Sequence, residues 1–164
     1  MYQQIRVLLA LVSSRFDYNS SISTHMPTEL WVAAQAEVEK LITILTNNPE
    51  YAVQEATDEY DELAERTPAS EPSGIIKIRG SIISFVERLD DEFTKSLQNI
   101  DPHGTEYVER LRDEKDLYHT ICRSQGFYEK SRQEDALGRV VLRRLEHIYS
   151  KVFRHNDLIQ LTHN

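Results

Sequence analysis

The sequence predicts an all-α fold, a stack of antiparallel helical hairpins made from about five to six helices. Three observations carry this expectation. Apolar side chains recur at three- and four-residue spacing in five separate stretches, which is the period of one helical face. No extended alternating run announces a strand, and only five glycines and five prolines punctuate the 164 residues. A hydrophobic share of 40% with 28% charged residues suits a folded chain rather than a disordered one. The expected organisation is a single helical domain over residues 1–164, or a piece of a longer helical array, with a flexible linker around 67–76.

The first helix is expected from Tyr2 to Phe16, because Ile5, Leu8, Leu9, Val12 and Phe16 fall on one face. The second begins near Pro27, where a proline suits a first turn that has no use for its missing amide hydrogen. Leu30, Ala34, Val38, Leu41 and Leu45 form its stripe, and Asn48-Pro49 ends it. From Glu50 to Leu63 the period is weaker and six acidic residues crowd the segment, which predicts a short, largely exposed helix. Thr67 to Gly74, with two prolines and two serines, predicts a flexible connection. Ile82, Val86, Leu89, Phe93 and Leu97 predict a long helix from Ile78 to Gln98. Asp101-Pro102 then offers an N-cap for a fifth helix carrying Val108, Leu111, Tyr118, Ile121 and Cys122 inward and stopping near Gly126. Ser131 and Glu134 have capping-box spacing, so a last helix is expected from there to Arg154.

The formal net charge is -8, which argues against non-specific adhesion to nucleic acid or anionic membrane. Residues 1–76 hold 4 basic against 12 acidic side chains, whereas residues 77–164 hold 15 of each. An RNA-facing surface is therefore expected in the second half. The single Cys122 cannot form an internal disulfide, which favours a reducing compartment, the cytoplasm. Val7 to Val12 is too short for a signal core, and no stretch is long enough to cross a bilayer. Asn19-Ser20-Ser21 matches the glycosylation pattern, a chance match in a chain without a secretory signal.

Several chemistries lack their signatures. The five glycines stand singly, so no loop is built to cradle phosphates, and no G-x-S-x-G elbow presents a serine nucleophile. His119 and Cys122 are an i, i+3 pair on an expected core face, where cysteine packs as a small hydrophobe. Asp116 and His119 have ligand spacing, but one such pair does not make a metal site. Asp90-Asp91-Glu92 is expected mostly on the solvent side of its helix, as a solvated face or a docking surface for basic partners. No cofactor is expected.

The last helix carries the candidate binding residues. At about 100° per residue, Leu137, Val141, Leu145, Ile148 and Val152 define one face, expected inward. Arg139, Arg143, His147, Lys151 and Arg154 line the other, where a row of cations can contact RNA phosphates or a protein partner, or simply keep the helix soluble. As an exposed row, it is expected to tolerate charge reversal without loss of folding. Phe127 and Tyr128 beside Lys130 and Arg132 offer either base stacking or helix-end packing.

One stretch is more specific than any of these. Arg79 and Gly80 precede Val86 to Arg88, Asp90 to Phe93, Asn99, Asp101 to His103, Tyr107, Val108, Asp113 and Glu114. This pattern closely resembles the c-subunit family of eukaryotic translation initiation factor three, with a looser likeness at residues 16–19, 26–31 and 48–49. The resemblance implies a helical region ahead of a winged-helix (PCI) domain in a much longer protein. It implies a non-enzymatic scaffold with no catalytic residue, whose partners are other subunits of the factor and the small ribosomal subunit, with ribosomal RNA contact. A helical adaptor of another PCI-containing assembly, of the proteasome lid or signalosome type, stays open as the alternative.

Overall fold

A computed structural model describes residues 1–17, 25–55 and 74–161, with side chains through residue 149. Among these residues six helices and two short strands follow in the order α1 (Tyr2–Asp17), α2 (Thr28–Asn47), β1 (Tyr51–Gln54), β2 (Ile76–Arg79), α3 (Ile82–Asn99), α4 (Thr105–Arg112), α5 (Glu114–Ser131) and α6 (Glu134–Leu161). The chain is thus mostly helical, as its apolar stripes predict. The stripes of α1, α2 and α3 are buried as expected: Ile5, Val12, Ala34, Val38, Leu41, Val86 and Leu89 are all closed to solvent.

The core is one cluster. α2 lies against α1, α3 and α5, and α3 lies against α2, α5 and α6, so these two helices sit at the centre. Trp31 on α2 stacks at a tilt on Phe93 of α3, ring centroids 5.7 Å apart, and its indole N–H donates to the Leu89 carbonyl at 2.8 Å. A buried indole needs such a partner. Around this centre Arg15 forks onto Glu37 at 2.6 and 2.7 Å, tying α1 to α2, and Arg123 reaches Glu39 and the Thr43 hydroxyl, tying α5 to α2.

Several local expectations need correction. Tyr51–Gln54 is a strand and not the start of a helix; it pairs in parallel with β2, Val53 opposite Ile78. Both of those side chains are buried, so a short period-2 pattern outweighs the weak helical one. Residues 56–63 of the expected short helix, and 67–73 of the expected linker, lie outside the described residues. The linker range also includes Ile76, which opens β2.

The long helix starts at Ile82 rather than Ile78, because the preceding residues are held in the ladder: the Gly80 amide donates to the Gln54 carbonyl at 2.9 Å. A Cβ at Gly80 would lie 3.0 Å from a Leu9 methyl and 3.1 Å from Val53. Ser81 is the N-cap, extended at φ -144°, and its hydroxyl accepts from the Ser84 amide.

Asp101-Pro102 does not cap a helix. The Asp101 carboxylate accepts from the His103 amide and its carbonyl from the Gly104 amide, both at 3.0 Å, closing a turn. The helix starts at Thr105 with Gly104 as cap, breaks at Asp113, resumes, and passes through Gly126 to Ser131. A helical glycine costs only about 1 kcal/mol, and the buried rings of Phe127 and Tyr128 just after it offset that. Ser131 is still inside α5, so no capping box forms with Glu134; Arg132, left-handed at φ 54°, makes the break. The last helix is continuous past Arg154 to Leu161.

Candidate functional site

The inner face of α6 is mixed, Ala136, Leu137 and Val140 packing on the core beside Arg139, Arg143 and His147, and its outer face is apolar. Val140 and His147 are buried, while Val141, Leu142, Leu145, Ile148 and Tyr149 are exposed, Leu142 at 57% and Leu145 at 59%. Of the stripe expected inward, Leu137 packs on the core, but Val141, Leu145 and Ile148 turn outward, and the expected outward residues Arg139, Arg143 and His147 turn in. The reason is on α3, whose own outward turn presents Glu87, Asp90 and Asp91 to α6.

Each described cation of the row meets that acidic turn. Arg139 forks onto Glu87, Nη2 to Oε2 at 2.6 Å and Nε to Oε1 at 3.1 Å, and its Nη1 donates to Glu55 at 2.7 Å. Arg143 Nη1 lies 2.9 Å from Asp91 and 3.3 Å from Asp90. His147 Nδ1 is 2.8 Å from the other Asp90 oxygen, its ring stacks on Tyr118 at 5.9 Å, and Nε2 lies 3.6 Å from Glu114. Because a carboxylate accepts, the Asp90 contact places the imidazole proton on Nδ1. Lys151 and Arg154 fall beyond residue 149, where the side chains are not described.

The electrostatics follow the geometry. Hydrogen bonds to Glu87 hold the Arg139 guanidinium well above its ordinary value, against the opposing pull of burial. Burial pulls Arg143 down, and the charges of Asp91 and Asp90 more than offset it. The Glu55 carboxyl is held low, first by the Ser81 hydroxyl and then by Arg139. These are bidentate or multiply paired cations, the arrangement in which arginine holds carboxylates best.

Of the acidic triplet, then, Asp91 is on the solvent side as expected, whereas Asp90 is buried and Glu92 half-buried. Asp90 is 5% exposed. Glu92 turns the opposite way, where it accepts from the Met26 amide at 2.8 Å and from Lys95. The basic partner of Asp90 and Asp91 is the chain's own last helix. A groove of about 450 Å³ opens along this seam, lined by Asp91, Thr94 and Lys95 from α3 and by Arg143, Glu146 and Tyr149 from α6.

The remaining candidates separate. Asp116 and His119 both lie on the surface of α5, and Cys122 is a half-buried free thiol. Among the described residues no cluster of three or more His, Cys, Asp or Glu side chains is placed to hold a metal, and no described helix is long and apolar enough to cross a membrane. Phe127 and Tyr128 are buried, with ring centroids 5.2 Å apart. The Tyr128 hydroxyl accepts from the Ile83 amide at 2.9 Å, closing the first turn of α3. Burial pushes that phenol up to about 12.

One buried residue is not singled out by the apolar pattern of the sequence. Arg110 is 3% exposed, while Val108, expected inward, is open to solvent. Its guanidinium lies 4.2 Å from the Trp31 ring centroid and 4.8 Å from that of Phe93, and it donates to Ser96 and Asp113. The one available signal is the i, i+3 spacing of Arg110 and Asp113.

Most of these contacts come from the stretch that carries the family resemblance: Glu87, Asp90, Asp91, Phe93, Asp113 and Glu114. Comparison with known proteins bears on the same point. A family model described as "Eukaryotic translation initiation factor 3 subunit 8 N-terminus" matches residues 1–163. The C subunit of eukaryotic translation initiation factor 3 from Mycosarcoma maydis is 53% identical over 92% of this chain and 17% of its own length. Proteins of the same name from Pyricularia oryzae and Aspergillus clavatus are 46% and 44% identical, each over 92% of this chain and 18% of their own. The chain thus spans 17–18% of the length of these curated relatives. With a family match from residue 1 to residue 163, the chain belongs to the translation initiation factor 3 subunit 8 N-terminus family.

Proposed function

We propose that this chain is a non-enzymatic scaffold segment of a eukaryotic translation initiation factor, acting in the cytoplasm and supporting assembly of the initiation complex on the small ribosomal subunit. The observation that carries this reading is the family match over residues 1–163, joined by relatives named as the C subunit of that factor. The fold is consistent with it: paired ions fix the helices against one another, and the outer face of α6 is left to meet something else. Its partners are then the other subunits of the factor and the small ribosomal subunit.

The basic row divides within this reading. Arg139, Arg143 and His147 hold α6 onto α3, so the contact with ribosomal RNA or a partner is assigned to Lys151 and Arg154, on the sequence alone. The reading is tested by affinity capture of the tagged protein expressed from its own gene, followed by sedimentation and identification of what co-purifies. Other subunits of the initiation factor and small ribosomal subunits are the expected companions. Recovery of proteasome-lid or signalosome subunits in their place would favour the alternative adaptor. Reversing charge at Lys151 and Arg154 should then weaken ribosome binding and make its dependence on salt shallower.

A further inference from the structure

His147 stands where three helices meet, with one of its two ring nitrogens unsatisfied. Its side chain is 2% exposed. From α3, Asp90 accepts from Nδ1 at 2.8 Å. From α5, Glu114 Oε1 lies 3.6 Å from Nε2, too far for a hydrogen bond, and Nε2 is buried with no hydrogen-bond partner. Tyr118 of α5 covers the ring face, with centroids 5.9 Å apart. On α6 itself the neighbouring charges are Arg143, paired with Asp90 and Asp91, and Glu146, 3.8 Å from Arg143. Arg144 turns away to Tyr118 and Gln125. Farther along the two seams Lys95 pairs with Glu92, Arg139 with Glu87 and Arg110 with Asp113.

With the ring neutral, the Nε2 lone pair faces a carboxylate, acceptor against acceptor, and a buried polar atom left without a donor disfavours the folded chain. A second proton, on Nε2, removes the conflict. The ring then donates to Asp90 on one side and meets Glu114 as a cation on the other. Glu114 lies in the first turn of α5, where the helix dipole favours a negative charge. We infer that Asp90, His147 and Glu114 form a proton-operated clamp: uptake of one proton at His147 Nε2 draws α6 onto the first turn of α5, while the Asp90 bond holds it to α3. Histidine is the side chain whose charge ordinarily changes between about pH 5 and 8, so the clamp responds to modest acidification. Helix α6 runs on to Leu161, and Lys151 and Arg154 follow His147 by about one and two turns. The clamp therefore governs how firmly the segment carrying them is held. It does not depend on what those two residues meet.

The test uses Glu114→Gln, which keeps the shape of the side chain, removes its charge and supplies an amide able to donate to a neutral ring. The full chain is unfolded with urea at about pH 8 and at about pH 5.5, on either side of the ordinary imidazole value. Because Glu114 favours the charged ring and disfavours the neutral one, its stabilising part belongs to the acid side and is lost as pH rises. The variant's unfolding constant, divided by the parent's, is expected to be about fivefold larger at the lower pH than at the higher. In a His147→Gln background the same substitution should give one ratio at both. Equal pH dependence in the two backgrounds, or a ratio that falls on acidification, would overturn the clamp. Nuclear magnetic resonance of the His147 ring nitrogens in the parent gives a reading that does not depend on the variants folding. Nδ1 should stay protonated throughout, while Nε2 passes from a bare acceptor at about pH 8 to a protonated nitrogen at about pH 5.5. An Nε2 whose protonation is the same at both would overturn the clamp as well.

Discussion

Phe93 and Arg110 share one box with Trp31, and the two side chains enter it for different reasons. Phe93 is on the stripe that the sequence displays, it is 1% exposed, and its ring has Trp31 on one side and the Arg110 guanidinium on another. Phe93→Ala is expected to destabilise the chain by about 3–5 kcal/mol in chemical denaturation, since both neighbours lose a packing surface. A loss below about 1 kcal/mol would place the ring outside the core. Arg110 is invisible to pattern because arginine is rarely buried unless paired, and its partners Trp31, Ser96 and Asp113 come from three parts of the chain. Gly80 was legible as part of a motif but not as a spatial requirement. Gly80→Ala would put a methyl within 3.0 Å of Leu9 and 3.1 Å of Val53. Leu9 must yield, and the expected cost is about 1–3 kcal/mol, read as a lower denaturation midpoint. An unchanged midpoint would show that α1 moves aside freely.

Helices α1, α2 and α3 were legible as elements because each has a single apolar stripe that is also the face buried in the core, whatever its polar face goes on to meet. Strand β1 was not, since four residues give too little alternation to outweigh the surrounding helical spacing, and its partner β2 lies more than twenty residues away. The orientation of α6 was lost for a different physical reason. Its apolar and cationic faces are both well formed, and burying the apolar one is the default. What decides the matter is complementarity with Glu87, Asp90 and Asp91 on a helix some fifty residues earlier, which no reading of α6 alone contains. The consequence for stability reverses the expectation for an exposed row. Arg143→Glu would set a third carboxylate against Asp90 and Asp91, and is expected to cost about 1–3 kcal/mol. The charge swap with Asp91→Arg should recover part of that loss, and salt should narrow the difference between variant and parent. A fully neutral Arg143→Glu would mean that α6 is not held by this seam.

At the scale of the molecule, Tyr128 couples the helices on either side of the centre. It stands on α5 and closes the first turn of α3 by accepting from the Ile83 amide, from a position 2% exposed. Burial is the main reason its phenol is raised from 10.0 to about 12, with the Ile83 amide and Arg139 acting the other way. A folded-state value above the unfolded one means that the folded chain keeps this proton more tightly. The corresponding stability is complete below pH 10 and is lost as pH rises toward 12, on the order of 2–3 kcal/mol. Seven further tyrosines are present, so the effect is isolated by comparison with Tyr128→Phe. That variant gives up the hydroxyl that accepts at Ile83 and is expected to lose about 1–3 kcal/mol at neutral pH. Because it no longer has a phenol to ionise there, its stability should fall less steeply than the parent's between pH 10 and 12, and the two denaturation curves should converge. Parallel loss in both proteins over that window would show that the phenol ionises without unfolding, and that α5 and α3 are not locked through it.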